Sequence, residues 1–276
     1  MVVCEAAARA GGQVLLDWQD RFRTKKKGPK DVVTEADLAS QEVIREILLG
    51  AFPDHQFLGE EAEPNHPPKR KPVPAARSAY RWIVDPLDGT ANYVHHLPAY
   101  AVSIGLERGG KPLVGVVFDP ISGECFSAAR GRGAFLNERP IRPTRCRRLE
   151  EALMGVSLSA NVPRGSCEVR RFLEVMHGCQ AIRRLGSAAL SLCYVACGRL
   201  DGYFGAGVKS WDMAAGAVIL REAGGILTAG SGEPFWLDCA EFASAATEKL
   251  HGELMQAFAQ VESDGSPCSQ LETRST

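Results

Sequence analysis

No apolar run in the 276-residue chain is long enough to span a bilayer, so no membrane-spanning helix is expected. Charge of one sign is missing too: 32 Lys and Arg stand against 33 Asp and Glu. The formal net charge of −1 gives no global field to recruit nucleic acid or an anionic membrane. Nine cysteines include no Cys-x-x-Cys pair, and the odd, scattered count fits a reduced, cytoplasmic protein. Cys193 and Cys197 lie one helical turn apart among Leu192, Tyr194 and Val195, which favours core packing over a zinc site. Met1 to Glu5 lacks a basic region followed by a long apolar stretch, so no secretory signal is expected. The length suits one large domain or two smaller ones.

What the chain does have is concentrated in Trp82-Ile83-Val84-Asp85-Pro86-Leu87-Asp88-Gly89-Thr90. Trp82 to Val84 reads as the end of a buried strand. It runs into two carboxylates on a rigid turn, and buried carboxylates are costly unless something neutralises them. Pro86 removes a backbone donor that could have helped. The pair is a candidate cradle for a hard divalent cation such as Mg²⁺, which prefers oxygen ligands. Gly89 allows close approach to the backbone, and Thr90 opens a helix whose free amides suit an anion. An Asp-rich turn capping a helix is the plain alternative, and for Asp-Gly alone it would be preferred.

Around this string the chain reads as alternating helices and strands. A helix is expected over residues 3–22, then a basic turn at Lys25 to Lys30. Thr34 with Asp37 three residues on resembles a capping box for a helix from Glu35 to about Leu49. His55 to Leu58 reads as a strand ending at Gly59-Glu60-Glu61, with Glu61 expected at the surface. Five prolines between residues 62 and 80 mark a mobile loop rather than a domain linker. An antiparallel meander follows over 101–106, 113–118 and 124–129, and the glycines near Gly131 are those of a hairpin. His95 and His96 are taken as structural or rim residues. Composition shifts at the basic joint Arg142 to Arg148. Beyond it come a strand over 153–158 and helices over 168–178, from Ser187 to about Gly198, and from Asp212 to Ala223. Late strands over 226–229 and 242–246 precede a closing helix over 248–261. On local grounds Asp212 would be an ordinary N-cap. The expected division is 1–142, 143–262 and a disordered tail over 263–276.

Three segments carry a resemblance that covers most of the chain up to about residue 245. They are Asp31-Val32-Val33-Thr34-Glu35-Ala36-Asp37 with Gly59-Glu60-Glu61, then Asp85 to Thr90, then Trp211-Asp212-Met213-Ala214-Ala215-Gly216. In order and rough spacing they resemble the inositol monophosphatase family of Mg²⁺-dependent phosphatases. The resemblance implies an α/β layered sandwich of sugar-phosphatase type, with an antiparallel N-terminal sheet and a mixed C-terminal one. It implies Glu60, Asp85, Asp88, Asp212 and the Leu87 carbonyl as ligands to two or three Mg²⁺. Gly89 and Thr90 amides would seat the phosphate, and free amides over Gly186 to Ala188 would hold a substrate oxygen. Thr90, oriented by Asp37 and working with Glu60, would activate a water for direct attack on a small phosphorylated substrate. Lys26 or Lys27 would reach toward the site. Lithium sensitivity and a homodimer are implied likewise. At Gly205 the pattern breaks, because inositol-handling members carry an acidic residue seven positions before Asp212. Histidinol phosphate, adenosine 3′,5′-bisphosphate or a sugar phosphate is the alternative substrate, with Gly205-Ala206-Gly207 leaving room for a bulkier leaving group. A regulatory role, binding RNA polymerase or nucleic acid through the two basic runs, is the other reading.

Overall fold

The computed structural model describes residues 1–28, 31–61 and 79–263, with backbone alone for 25–28, 31–33 and 263. Helix α1 (Val2–Trp18) leads into a hairpin of β1 (Thr24–Gly28) and β2 (Asp31–Thr34) where a basic loop was expected. The side chains of Lys26 and Lys27, most of the proline-rich segment and residues 264–276 lie outside the described residues. Helix α2 (Glu35–Ala51) and β3 (Gln56–Gly59) follow, then β4 (Tyr80–Asp88) and a short α3 (Thr90–Val94). The meander is β5 (Ala101–Arg108), β6 (Lys111–Asp119), β7 (Glu124–Ala129), β8 (Ala134–Leu136) and β9 (Arg139–Pro140).

Strands β3 to β9 form one seven-stranded sheet in sequence order, antiparallel except that β3 lies parallel to β4. The second sheet is built by β10 (Leu153–Ser157), β11 (Ala181–Arg183), β12 (Gly202–Ala206), β13 (Ile226–Ala229) and β14 (Glu241–Ala245). Its order is β11-β10-β12-β14-β13, and it is mixed as expected. Strands β11 and β12 are the elements the chain pattern did not announce. With three residues β11 is too short to show a period, and β12 carries two glycines, Gly202 and Gly205, that blur one.

The remaining helices are α4 (Cys167–Gly178), α5 (Ala188–Ala196), α6 (Ser210–Ala223) and α7 (Glu248–Ser263). They sort into layers by the alternation of strand side chains. Trp82 and Val84 face α1 and α2, whereas Ile83 faces the opposite way into a core shared with α5 and α6. Tyr203 and Phe242 enter that same central core from the second sheet, while Phe204 and Ala243 turn outward onto α4 and α7. Five layers result, helix–sheet–helix–sheet–helix, and α5 and α6 are buried between the sheets. Glycine permits the closest contact. Gly105 and Gly115 pair across β5 and β6 and make a flat place on the sheet. A Cβ at Gly115 would stand 2.3 Å from the Ala215 carbonyl oxygen, and one at Gly105 2.6 Å from Ala214 Cβ. The sheet thereby fixes the depth of α6, whose first turn carries Asp212.

Candidate active site

Strand β4 does not stop at Val84. It carries Asp85, Leu87 and Asp88 into the sheet through a bulge, because two residues of β4, Pro86 and Leu87, oppose the single Val102 of β5 between Asp85↔Ser103 and Asp88↔Ala101. A bulge is where a sheet tolerates proline, and Pro86 occupies it. Asp85 is 2 % exposed and accepts the Leu87 amide on Oδ1 at 2.9 Å. Ser40 Oγ donates to the Pro86 carbonyl at 3.1 Å, so α2 grips the bulge from behind. Gly89 then turns the chain with φ 103°, and a Cβ there would meet the Ala99 carbonyl at 2.9 Å. Helix α3 begins at Thr90 as the sequence implied.

One face of α2 serves this bulge. Asp37, Ser40, Gln41, Ile44 and Leu48 are its buried positions, spaced as one stripe. The capping box is present: Thr34 donates to Asp37 Oδ2 from its amide at 2.9 Å and from its hydroxyl at 2.5 Å. Asp37 Oδ1 remains for Thr90, whose Oγ1 lies 3.4 Å away. Cap and site therefore use different oxygens of one carboxylate. Thr90 Oγ1 also stands 3.1 Å from the Leu87 carbonyl, and a hydroxyl has a single proton to give. Gln41 donates to the Glu61 carbonyl at 2.9 Å and accepts the Glu61 amide at 3.1 Å. Glu61 is thus 5 % exposed, not at the surface as expected, and Gln41 holds the segment that presents half-buried Glu60. Ser40 and Gln41 were missed by motif reading. Two further polar residues on the same helical stripe as Asp37, Ile44 and Leu48 were the available signal.

The second half of the chain supplies the rest. Asp88 Oδ2 accepts from Ser187 Oγ at 2.5 Å and from the Ala189 amide at 2.7 Å, and Oδ1 from the Ala188 amide at 3.2 Å. Asp88 is in effect the anion at the start of α5. The Ala188 amide is therefore engaged rather than free, which corrects that part of the expectation. Asp212 is not the N-cap of α6 but lies three residues inside, its Oδ2 accepting the Lys209 amide at 2.8 Å. Ser103 Oγ donates to the Trp211 carbonyl at 3.2 Å and ties that turn to β5. Asn92 bridges the halves by donating to the carbonyls of Ala99 and Leu185 at 2.6 and 2.7 Å. His95 and His96 are exposed at the rim.

Gly205 has a structural cause. It pairs with Ser157 across parallel strands, and a Cβ there would lie 2.4 Å from the Ser157 carbonyl oxygen. At Gly207 the corresponding neighbour is Ser159, with Oγ at 2.5 Å. Atoms of Ser157 and Ser159 thus crowd the places where those two Cβ atoms would stand.

Electrostatically the site is one-sided. The Asp85 carboxyl is pushed well up, first by burial and then by the charges of Glu60, Asp88 and Asp212. Burial likewise raises Asp88 to about 6 and Asp212 to about 7, each also repelled by its neighbours. Asp37 is raised to about 6, burial outweighing its bonds from Thr34. Among the described residues no Lys or Arg forms an ion pair with Asp85, Asp88 or Asp212. No three described Asp, Glu, His or Cys side chains stand close enough to enclose a metal ion as placed. The donor chemistry nevertheless suits a hard cation: all oxygen, all anionic, and mutually repelled until something positive joins them.

Asp85 and Asp88 at the end of β4, Asp212 in the first turn of α6 and the Thr90 hydroxyl beside Asp37 give the oxygen-rich setting that cleavage of a phosphate ester needs. The class is a phosphoric monoester hydrolase. The chain belongs to the inositol monophosphatase family, whose family model matches residues 1–263. An inositol-1-monophosphatase of Rhizobium meliloti is 40% identical over 242 residues, 84% of this chain and 86% of the relative. The Nus factor SuhB of Pasteurella multocida is 38% identical, over 89% of this chain and 90% of the relative. Among solved structures, the suppressor protein suhB of Bartonella henselae superposes with TM-score 0.84 at 37% identity, covering 94% of this chain and 97% of that one. The inositol monophosphatase of Anabaena gives 0.80 at 36% identity, over 94% and 95%. The protein is a phosphatase of this family, which is generally Mg²⁺-dependent; its relatives' names do not agree on a substrate. No described helix is long and apolar enough to cross a membrane.

Proposed function

We propose that the chain hydrolyses a small phosphate monoester, inositol 1-phosphate before others, with two or three Mg²⁺ held by Glu60, Asp85, Asp88, Asp212 and the Leu87 carbonyl. The observation that carries this is the burial of Asp85, Asp88 and Asp212 beside Glu60 without a Lys or Arg ion pair among the described residues, which raises all three carboxyls, burial first, and which a hard cation relieves. Mg²⁺ when bound neutralises phosphoryl oxygens, acidifies a water and stabilises the leaving alkoxide. The chain's own groups do the positioning. The amides of Gly89 and Thr90 seat the phosphate at the start of α3. Glu60 and Thr90 align the attacking water, and Glu60 takes its proton. When the Thr90 hydroxyl donates to Asp37 Oδ1, in reach at 3.4 Å, the Leu87 carbonyl keeps both lone pairs for a cation. The Thr90 oxygen then has lone pairs to accept from the water. Attack is direct, and no phosphoenzyme forms. A cytoplasmic homodimer, with halves 1–142 and 143–262 meeting at the site, belongs to the same reading.

Support for inositol 1-phosphate comes from the relatives named inositol-1-monophosphatase. Against it stands Gly205, where no acidic side chain can grip the polyol. Phosphate release from inositol 1-phosphate, histidinol phosphate, adenosine 3′,5′-bisphosphate and fructose 1,6-bisphosphate, with Mg²⁺ and with EDTA, tests the reading. Metal-dependent turnover led by inositol 1-phosphate is the expected result. A preference for another ester moves the substrate and keeps the mechanism; no release from any of them overturns both.

A second reading, a transcription-linked role, is favoured by relatives named Nus factor SuhB and by the exposed Arg142, Arg145, Arg147 and Arg148. RNA binding that weakens steeply with salt and survives loss of catalysis would support it.

A further inference from the structure

At the far end of α6 from Asp212 lies a cavity of about 330 Å³. Arg221 of that helix, Lys111 at the start of β6 and Arg130 after β7 line it, with Glu222, Pro112 and Phe235. Nine residues separate Arg221 from Asp212, so roughly 14 Å of helix lies between this cavity and the acidic site. Three cations from three elements converge here, and among the described residues none has a carboxylate partner. The nearest acid is already committed. Glu222 accepts the amides of Gly131, Arg132 and Gly133 at 2.9, 3.1 and 3.0 Å, which shapes the turn that carries Arg130. Arg221 is held flat, its guanidinium carbon 5.4 Å above the Phe235 ring and Nη2 3.5 Å from the Leu227 carbonyl. The Arg221 guanidinium is lowered from its usual range, by burial first and then by the Arg130 charge.

We propose that this cavity is a second anion site, which takes a small phosphate-bearing molecule between Lys111, Arg130 and Arg221. The chemistry selects the class. A local charge of three cations against one committed carboxylate matches a dianion, and guanidinium forks bind tetrahedral oxyanions through paired N–H donors. The volume is at the small end for ligand pockets, enough for a phosphoryl or diphosphoryl group on a compact body. Proline and Phe235 supply an apolar wall for that body.

Isothermal titration of the full chain with inorganic pyrophosphate, in metal-stripped buffer without chelator, tests the site. Without metal the acidic cluster repels anions, so binding there does not interfere. One site is expected, weakening with salt. Arg130→Gln and Lys111→Gln each weaken it about tenfold, the loss of one charge-assisted contact. Both side chains are exposed and unpaired, so these variants fold, and circular dichroism confirms it. Arg145→Gln, an exposed arginine elsewhere, leaves binding unchanged. No measurable binding overturns the proposal, as does equal weakening by all three substitutions. Tighter binding of malonate than of pyrophosphate overturns the phosphate class.

Discussion

Helix α6 has a group of like charges at each end, and the two ends solve the problem differently. Near its start Asp212 meets Glu60, Asp85 and Asp88 in a buried place. Near its end Arg221 meets Arg130 and Lys111 in an open cavity. The helix dipole favours both arrangements, since anions suit the start and cations the end. That contribution, typically 0.3–1 kcal/mol, cannot offset the burial of several carboxylates at the acidic end. Water solvates and salt screens the basic end, so it tolerates its charges unaided. On the readings proposed above, the acidic end takes a counter-ion and the basic end a ligand that comes and goes.

The sharpest way to break this contrast is Asp85→Asn. The amide oxygen can still accept from Leu87, so circular dichroism should show an intact fold. Turnover with Mg²⁺ should fall on the order of 10³-fold or more. In the wild type, Mg²⁺ at 100 times its dissociation constant should add about 2.7 kcal/mol of stability, and much less in the variant. Full activity in Asp85→Asn would remove the acidic end from catalysis.

Gln41→Ala should come next in size. It leaves the buried Glu61 amide and carbonyl without their partner, at about 1–3 kcal/mol in urea unfolding. Because Glu60 is adjacent, kcat should fall further than KM rises. Unchanged kcat at reduced stability would make Gln41 structural only.

Gly205→Glu asks whether the missing carboxylate can be restored. The Ser157 carbonyl blocks the new Cβ, so about 1–3 kcal/mol of stability should be lost with no gain toward inositol 1-phosphate. A gain would show that β10 yields.

The smallest effect gauges a charge that already has its partner. Arg199 donates to both oxygens of Glu124 at 2.5 Å across the surface. That hydrogen bond, ahead of the opposing effect of burial, lowers the Glu124 carboxyl below its ordinary range. A lowered folded value means that the stabilisation is present above the ordinary carboxylate pKa and is lost as pH falls through the folded one. Glu124→Gln should therefore cost up to about 1 kcal/mol at pH 7, since both groups are partly exposed. The difference from wild type should vanish in acid; a difference that grows there would reverse the assignment.

Much of this was legible in the chain. Gly89 and Thr90 announced a turn and a helix start because glycine has a narrow conformational meaning, whereas the run of β4 through Asp85 to Asp88 was taken for a turn. Thr34 and Asp37 announced a cap because that contact is local. Glu61 misled, because a carboxylate after another carboxylate says nothing about a glutamine twenty residues earlier. Strand β11 stayed hidden because it is three residues long, and β12 because Gly202 and Gly205 interrupt its pattern.

By itself, then, the sequence determined the contacts that span a few residues: helix starts, the family's three motifs and the identity of the acidic residues. Only the tertiary structure decided how distant groups meet. It set Asp88 on the amides of α5, fitted Gly205 against Ser157, and brought Lys111, Arg130 and Arg221 to one cavity. Local contacts are fixed by backbone geometry over one or two turns, whereas these depend on how the five layers pack, and no short stretch of chain encodes that.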